Sequence, residues 1–502
     1  MTDGRFALGV DLGTGSARAF LFDAAGERRS GVRLGSTWRM SVAGAVEADA
    51  DELVRLVCEA MDGALHGAPP GSRVVAVGFS ALWHTILGVD ERGQAVTPAL
   101  GWNDARATAA ARQLRQRLDE RAIHARTGAM LHPSYPTARI AWLRDSAPTL
   151  HARVRRWLSV PEYLWLNLTG RYDVDLSIAA GSGLLNLHTL RWDDELLDVL
   201  GIDSTQLGSI AMMPDAVLPG TEVAAAVRWP VLREALWRMP VGDGACATVG
   251  SGCRDETCIA LSIGTSAALR VLVPLERAQP KAGLWTYPLD RRRALVGGAI
   301  SNGGLVRSWL RGVLRLPDDD AELDALLLAR PPAAHGLTVL PFLTGERSPD
   351  WPLDATATFH GVRAATSALD MLQAGMEAVA YRLATVRRCL RDAVPAARRI
   401  VASGGALQRS RYWAQLLADV LGEPVVLCPD AETSSRGAAL LALAAAGEID
   451  AVNAVAADAL PAAGTTVHPD AAALEAHRAA MSRHEALLDG LGHESVLRPS
   501  PP

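Results

Sequence analysis

One carboxylate stands apart in this chain. Asp243 lies between two glycines in Val241-Gly-Asp-Gly244. A carboxylate in hydrogen-bond reach of a hydroxyl can take its proton while the oxygen forms a new bond. Two glycine-rich turns elsewhere carry hydroxyls. Gly13-Thr-Gly-Ser16 follows an apolar run and an acid, Asp11, and Gly264-Thr-Ser266 follows the apolar run 258–263. Such turns offer N–H groups and hydroxyls with little bulk, so phosphate oxygens can approach closely. Gly13, Thr14, Gly15, Ser16, Gly264 and Thr265 are therefore candidate phosphate ligands. Asp11 is suited to a divalent cation, held directly or through water. Arg18 is either a phosphate partner or a surface charge. Phosphoryl transfer needs an aligned hydroxyl, an acceptor for its proton, and positive charge or N–H donors around the γ-phosphate. The plainer alternative for Asp243 is a cap on the helix that follows.

The acceptor candidates are Trp83, His84, Asn103, Asp104, Arg106, His132, Tyr135 and Arg139. A sugar pocket mixes polar groups with a flat aromatic face, which Trp83 and His84 supply unless they simply pack. Arg106 or Arg139 could pair with a substrate carboxylate. There is no Gly-x-x-x-x-Gly-Lys-[Ser/Thr] motif, so the chain is not a Walker-type kinase. No Gly-x-Gly-x-x-Gly opens a helix after the first strand, which argues against a dinucleotide dehydrogenase.

The elements that must hold these groups are legible in outline. Each turn joins two β-prone runs, which predicts two hairpins. Gly13 and Gly264 are 251 residues apart in a chain of 502, so the chain reads as two related halves. Residues 73–79 form a near-continuous apolar run, a strand buried on both faces. It delivers Trp83 and His84 at its carboxyl end, where open α/β sheets bind ligands. Helices are expected at 47–65, 107–126, 305–314, 412–421, 438–446 and 470–488. Residues 127–139 and 170–187 read as loop and irregular chain. Thr366 or Ser367 should cap a long helix whose apolar residues, from Leu369 to Leu390, recur in steps of three and four. That stripe suits a core helix, or self-association as a homodimer. The strand at 399–402 and the Gly404-Gly405-Ala406 turn can hold a nucleotide, and Gly304 opens a helix, a place anions favour.

A chain of 502 residues with 49% apolar and 21% charged residues fits two to four domains. The net charge of −5 and the absence of a basic tract argue against nucleic acid as a partner. No apolar run reaches membrane-span length and no signal-peptide pattern is seen, so a cytoplasmic protein is expected. Six cysteines without Cys-x-x-Cys spacing read as free thiols.

Taken in order, Gly9-Val-Asp-Leu-Gly-Thr-Gly-Ser16, Trp102-Asn-Asp-Ala-Arg106, Gly242-Asp-Gly244, Ser262-Ile-Gly-Thr-Ser266 and Ser403-Gly-Gly-Ala406 resemble the FGGY family of carbohydrate kinases. The likeness runs from Leu8 to about Ile449. Three further stretches, at 79–84, 127–136 and 342–351, are most similar to its bacterial gluconokinases. The resemblance implies an α/β fold of two ribonuclease H-like lobes, as in actin and hexokinase, with ATP and Mg²⁺ in the cleft between them. It implies an N-terminal lobe over 1–242 and a C-terminal, ATP-binding lobe over 243–450, with a helical tail over 451–502. Asp243 would be the general base and Asp11 would lie near the metal. Thr14, Thr265 and Gly304 would sit by the phosphates, and Gly404, Gly405, Ala406 and Gln408 by the adenosine. Trp83, His84, Asp104, Arg106 and His132 would bind the small-molecule acceptor, a sugar or sugar acid. The leading reaction is D-gluconate to 6-phospho-D-gluconate; a xylulose, other pentulose or polyol kinase is the alternative. A non-catalytic, actin-like nucleotide-binding protein is the alternative of another class. Trp83 stands where the gluconokinase pattern more often has Met, a ring expected to reshape the acceptor pocket.

Overall fold

A computed structural model describes residues 4–213, 216–449 and 465–492. The expected fraying of 498–502 and part of the 451–502 tail fall outside these. Two mixed seven-stranded sheets form the frame. The first contains β1 (Arg5–Leu12), β2 (Ser16–Phe22), β3 (Arg28–Gly35), β4 (Arg73–Ala81), β5 (Val217–Pro219), β6 (Leu236–Arg238) and β7 (Val241–Gly242). The second contains β8 (Cys258–Ile263), β9 (Ala267–Pro274), β10 (Trp285–Pro288), β11 (Arg293–Ile300), β12 (Arg399–Ser403), β13 (Val425–Leu427) and β14 (Thr466–Val467). Both expected hairpins form: β1 pairs antiparallel with β2, and β8 with β9. β4 lies parallel to β1 and is buried along all but its first residue, as a run without polar alternation requires.

Several helical regions differ from the sequence reading, and the helix expected at 438–446 starts five residues earlier, at Thr433. Residues 107–126 form two helices, α1 (Thr108–Arg117) and α2 (Glu120–Thr127). Leu118 is extended, and the Asp119 carboxylate accepts from the amides of Arg121 and Ala122 at 2.9 and 3.2 Å. A side-chain oxygen that satisfies first-turn amides starts a new helix rather than continuing an old one. The loop after it ends at Tyr135, because Pro136 takes the first position of α3 (Pro136–Ser146), where its missing N–H costs nothing. Residues 170–187 are not irregular throughout: Asp175 caps a short, wholly buried α4 (Leu176–Gly181).

α5 (Asp243–Gly250) follows β7 directly, and α6 (Gly304–Val313) follows β11. The long helix is α7 (Ala368–Ala393), begun by a capping box between Ser367 and Asp370. Its stripe of Leu372, Met376, Val379, Leu383, Val386 and Leu390 is spent inside the second core. The short α8 (Gly405–Arg409) leads into α9 (Arg411–Leu421). α10 (Thr433–Ala445) crosses from the C-terminal half and packs on α5 and on the first sheet. Two glycines permit this crossing. A Cβ at Gly250 would lie 1.9 Å from the Thr433 carbonyl oxygen, and one at Gly437 1.8 Å from that of Cys246. α11 (Ala471–Gly490) closes the described chain, and no described helix is long and apolar enough to cross a membrane.

Candidate active site

The cleft between the two sheets is lined by Leu82, Trp83, His84, Trp102, Asp243, Ser266, Arg270, Trp285, Ala299 and Arg347. Asp243 is the first residue of α5, with Gly242 as the cap, and its carboxylate accepts from the Gly244 amide at 2.8 Å. Burial raises its pKa above the usual aspartate range, opposed chiefly by Arg270 and then by that amide and Arg347. The glycines around it are required by packing. They leave room for Trp83. A Cβ at Gly242 would lie 2.0 Å from the indole, and Cβ atoms at Gly244 and Gly181 2.4 Å from it. The indole N–H donates to the Ser177 carbonyl at 2.9 Å. Trp83 is thus wedged behind the carboxylate with one side toward the cleft.

His84 holds a left-handed backbone at φ 61°, a strained state for a non-glycine residue. Arg139 donates to its carbonyl oxygen, and its ring Nδ1 lies 2.6 Å from the Gly181 carbonyl oxygen. Burial lowers its pKa to about 3, helped by the nearby guanidinium of Arg347. The ring is therefore neutral, Nδ1 carries the proton, and Nε2 is left as a hydrogen-bond acceptor.

Asp11 is buried on β1 of the first hairpin. It accepts from Ser80 Oγ at 2.7 Å and lies 3.3 Å from Arg18, which also reaches Glu432 at 3.2 Å. Burial raises the Asp11 pKa, and the neighbouring charges of Asp243 and Glu432 add to that. Two nearby carboxylates destabilised in this way suit Mg²⁺, which keeps several waters and takes one or two carboxylates beside substrate phosphates. In the first turn, Gly13 N–H donates to the Ser16 carbonyl at 3.0 Å, and Trp102 Nε1 reaches Thr14 Oγ1 at 3.3 Å. The second turn is seated on α6: the Gly303 and Gly304 amides donate to the carbonyls of Thr265 and Gly264 at 2.9 and 2.8 Å. The Gly304 amide is thus engaged by the turn itself. Gly404, at φ 117°, brings the start of α8 against β8, and Gln408 donates to the Pro429 carbonyl at 2.9 Å.

A family model for the N-terminal domain of the FGGY family of carbohydrate kinases matches residues 6–244, and one for the C-terminal domain matches 259–446. The chain belongs to the FGGY family of carbohydrate kinases. It is 28% identical over 467 residues to the gluconokinase of Bacillus subtilis (strain 168), covering 90% of this chain and 89% of that one. It is 30% identical over 446 residues to the xylulose kinase of Streptomyces rubiginosus, covering 87% of each. The crystal structure of gluconate kinase from Lactobacillus acidophilus superposes with a TM-score of 0.84 at 26% identity, covering 97% of this chain and 98% of that one.

As an FGGY kinase the protein is a sugar phosphotransferase, and kinases of this family use ATP. Of the acceptor residues expected from the sequence, the structure brings Trp83, His84 and Asp243 to the cleft. Asp104, Arg106 and His132 are not among its lining residues. Asp104 is buried, accepts from the Val46 amide at 2.9 Å and pairs with Arg106. Arg106 also pairs with Glu47 and lies over the Trp142 ring, so its charge is already matched. His132 accepts the Ser134 amide at Nδ1 and packs its ring on Trp351, with Nε2 3.3 Å from the Pro352 carbonyl. Arg139 is fully buried and serves the carbonyls of His84 and Ser134. The cations that do line the cleft, Arg270 and Arg347, were not singled out by sequence reasoning. The available signal was an arginine interrupting the otherwise apolar run 267–273. Glu432, which closes the Arg18 pair across the halves, carried no local signal.

Proposed function

We propose that this FGGY kinase is a gluconokinase that transfers the γ-phosphoryl group of ATP to the terminal hydroxyl of D-gluconate, giving 6-phospho-D-gluconate. One observation carries the choice of a sugar acid: the cleft beside Asp243 presents two arginines and a single carboxylate. A carboxylate-bearing acceptor pairs with such a guanidinium directly, whereas a neutral pentulose or glycerol leaves both to the nucleotide phosphates. The Bacillus gluconokinase points the same way.

In this reading the acceptor hydroxyl lies against Asp243, with Trp83, Trp102 and Trp285 as flat walls and His84 Nε2 accepting from a second hydroxyl. Asp243 takes the proton as the oxygen bonds to phosphorus and the bond to the ADP oxygen breaks. Thr14, Ser16, Arg18 and Thr265 stand on the phosphate side with the amides of their turns. Gly404, Gly405, Ala406 and Gln408 stand on the adenosine side. Asp11, with Asp243 nearby, would hold Mg²⁺, which neutralises charge on the phosphates when bound. Residues 1–242 and 243–450 act as acceptor and nucleotide lobes of a cytoplasmic enzyme.

ADP release with ATP and Mg²⁺, measured across gluconate, xylulose, ribulose and glycerol, tests this. Gluconate should give the highest kcat/KM. A higher value for xylulose or glycerol would replace the sugar acid with a neutral acceptor and leave the kinase in place.

A further inference from the structure

The two hairpins share a turn but treat their charges differently. In the first, Asp11 on β1 is the cross-strand partner of Arg18 on β2. In the second, Ser262 takes the place of the acid two residues before the turn glycine, and its cross-strand partner is Ala268. The arginine of this hairpin, Arg270, stands two residues further on, on the same face of β9, and donates to Ser262 Oγ at 2.8 Å. Its Nε is shielded from solvent and has no hydrogen-bond partner among the described residues. Where Arg18 has two carboxylates, Arg270 has a hydroxyl.

The other cleft arginine also has a shielded Nε without a hydrogen-bond partner among the described residues, but its remaining groups have more contacts. Arg347 lies 4.3 Å over the Trp102 ring, donates to the Ile300 carbonyl at 3.3 Å and is favoured by the charge of its neighbour Glu346. For Arg270 the nearby charges are Asp243, which must stay free to take a proton, and Arg347, which repels it. A guanidinium in this setting is completed by an anion from outside the protein.

The sheet around Arg270 is shaped for such a ligand. Gly297 on β11 is the cross-strand partner of Arg270 on one side and of Trp285 on the other. Trp285, Gly297 and Arg270 therefore form one row on one face, with no side chain at its centre. A Cβ at Gly297 would lie 2.8 Å from the Trp285 indole, so the ring leans over the glycine. A flat ring and a charged fork are thus held on the two strands that flank β11 in the second sheet. We propose that Arg270 selects an acidic acceptor by pairing with the carboxylate of a sugar acid whose carbon chain lies along Trp285. This rests on the sugar-acid reading above and names the residue that enforces it.

Calorimetric binding to the full-length protein tests the assignment, with gluconate, xylulose and ADP as separate ligands. Arg270→Gln should weaken gluconate about 10- to 100-fold, the range for a hydrogen bond to a charged group. Xylulose and ADP should bind within about twofold of wild type on the same scale. Arg270→Lys, which keeps the charge and loses the fork, should fall between. Ser262→Asp gives Arg270 an internal carboxylate while leaving the guanidinium in place, and it should weaken gluconate alone. It decides the matter even where Arg270→Gln unfolds. Unchanged gluconate binding in Ser262→Asp and in a folded Arg270→Gln would overturn the proposal. So would a parallel loss of ADP, which would assign the guanidinium to a phosphate. A wild type that binds xylulose and not gluconate removes the sugar-acid reading itself, before any variant is measured.

Discussion

The two phosphate-type hairpins are close in backbone and opposite in electrostatics. The first is closed: Asp11, Arg18 and Glu432 form a chain of contacts that also takes in Arg33. It joins β1 and β2 to the segment just before α10, so it ties the two halves together. The second is open: its arginine has a hydroxyl where the first has carboxylates. The same turn can therefore serve two ends. A charge satisfied within the protein holds structure, while a charge left over is available to a ligand. Asp243 lies within the field of both hairpins, since Arg18 and Arg270 are each stabilised by it.

Removing that shared charge should have the largest effect. Asp243→Asn should lower kcat about 10²- to 10⁴-fold, the usual contribution of a positioned general base. The same change should raise the unfolding midpoint at neutral pH. The folded-state pKa of Asp243 lies above its unfolded value, so ionised Asp243 costs native stability above the unfolded pKa. That cost is relieved as pH falls through the raised folded value, so the midpoints of variant and wild type should converge in acid. For the wild type, kcat/KM should be lost on the acid side at a pH above the ordinary aspartate range. A limb at the ordinary aspartate value would count against Asp243 as the base.

Opening the first hairpin is next. Asp11→Ser copies the second hairpin into the first, and should reduce kcat/KM for ATP·Mg²⁺ by about 100-fold, a loss of charge stabilisation of the kind seen at such sites. Gluconate binding measured without nucleotide should stay near wild type. Equal losses for both ligands would mean that the hairpins do not divide the work as described.

The smaller effects concern stability. Gly437→Ala forces a methyl group into the Cys246 carbonyl at the α5–α10 crossing and should cost about 1–3 kcal/mol in chemical denaturation. Gly15→Ala, with nothing within 4 Å of the added carbon, should change stability by less than about 0.5 kcal/mol. Glu432→Gln removes one partner from Arg18 and Arg33 and should cost roughly 1 kcal/mol, since both arginines keep some access to water.

The frame was legible because it rests on local patterns. Apolar runs around Gly-Thr turns gave both hairpins, and the step of three and four gave α7. Local rules also account for two misses: Asp119 divides one expected helix, and Pro136 starts another earlier than the loop composition implied. The site was less legible because its groups converge from distant segments. His84 depends on Arg139 and Gly181, and Arg18 on Glu432, contacts that no short window contains. Asp104 and Arg106 looked like ligands because they are polar and close in sequence, yet they satisfy each other. Arg270 was the reverse, a charged residue in an apolar strand whose meaning appears only when its hydrogen bond is seen to go to a hydroxyl and not to a carboxylate.

The most direct test is a competition in one vessel. Wild-type enzyme receives ATP and Mg²⁺ with equal concentrations of gluconate, xylulose and glycerol, and the phosphorylated products are weighed by mass spectrometry. Phosphogluconate should predominate from the first turnovers. Early accumulation of xylulose phosphate or glycerol phosphate in its place would contradict the account.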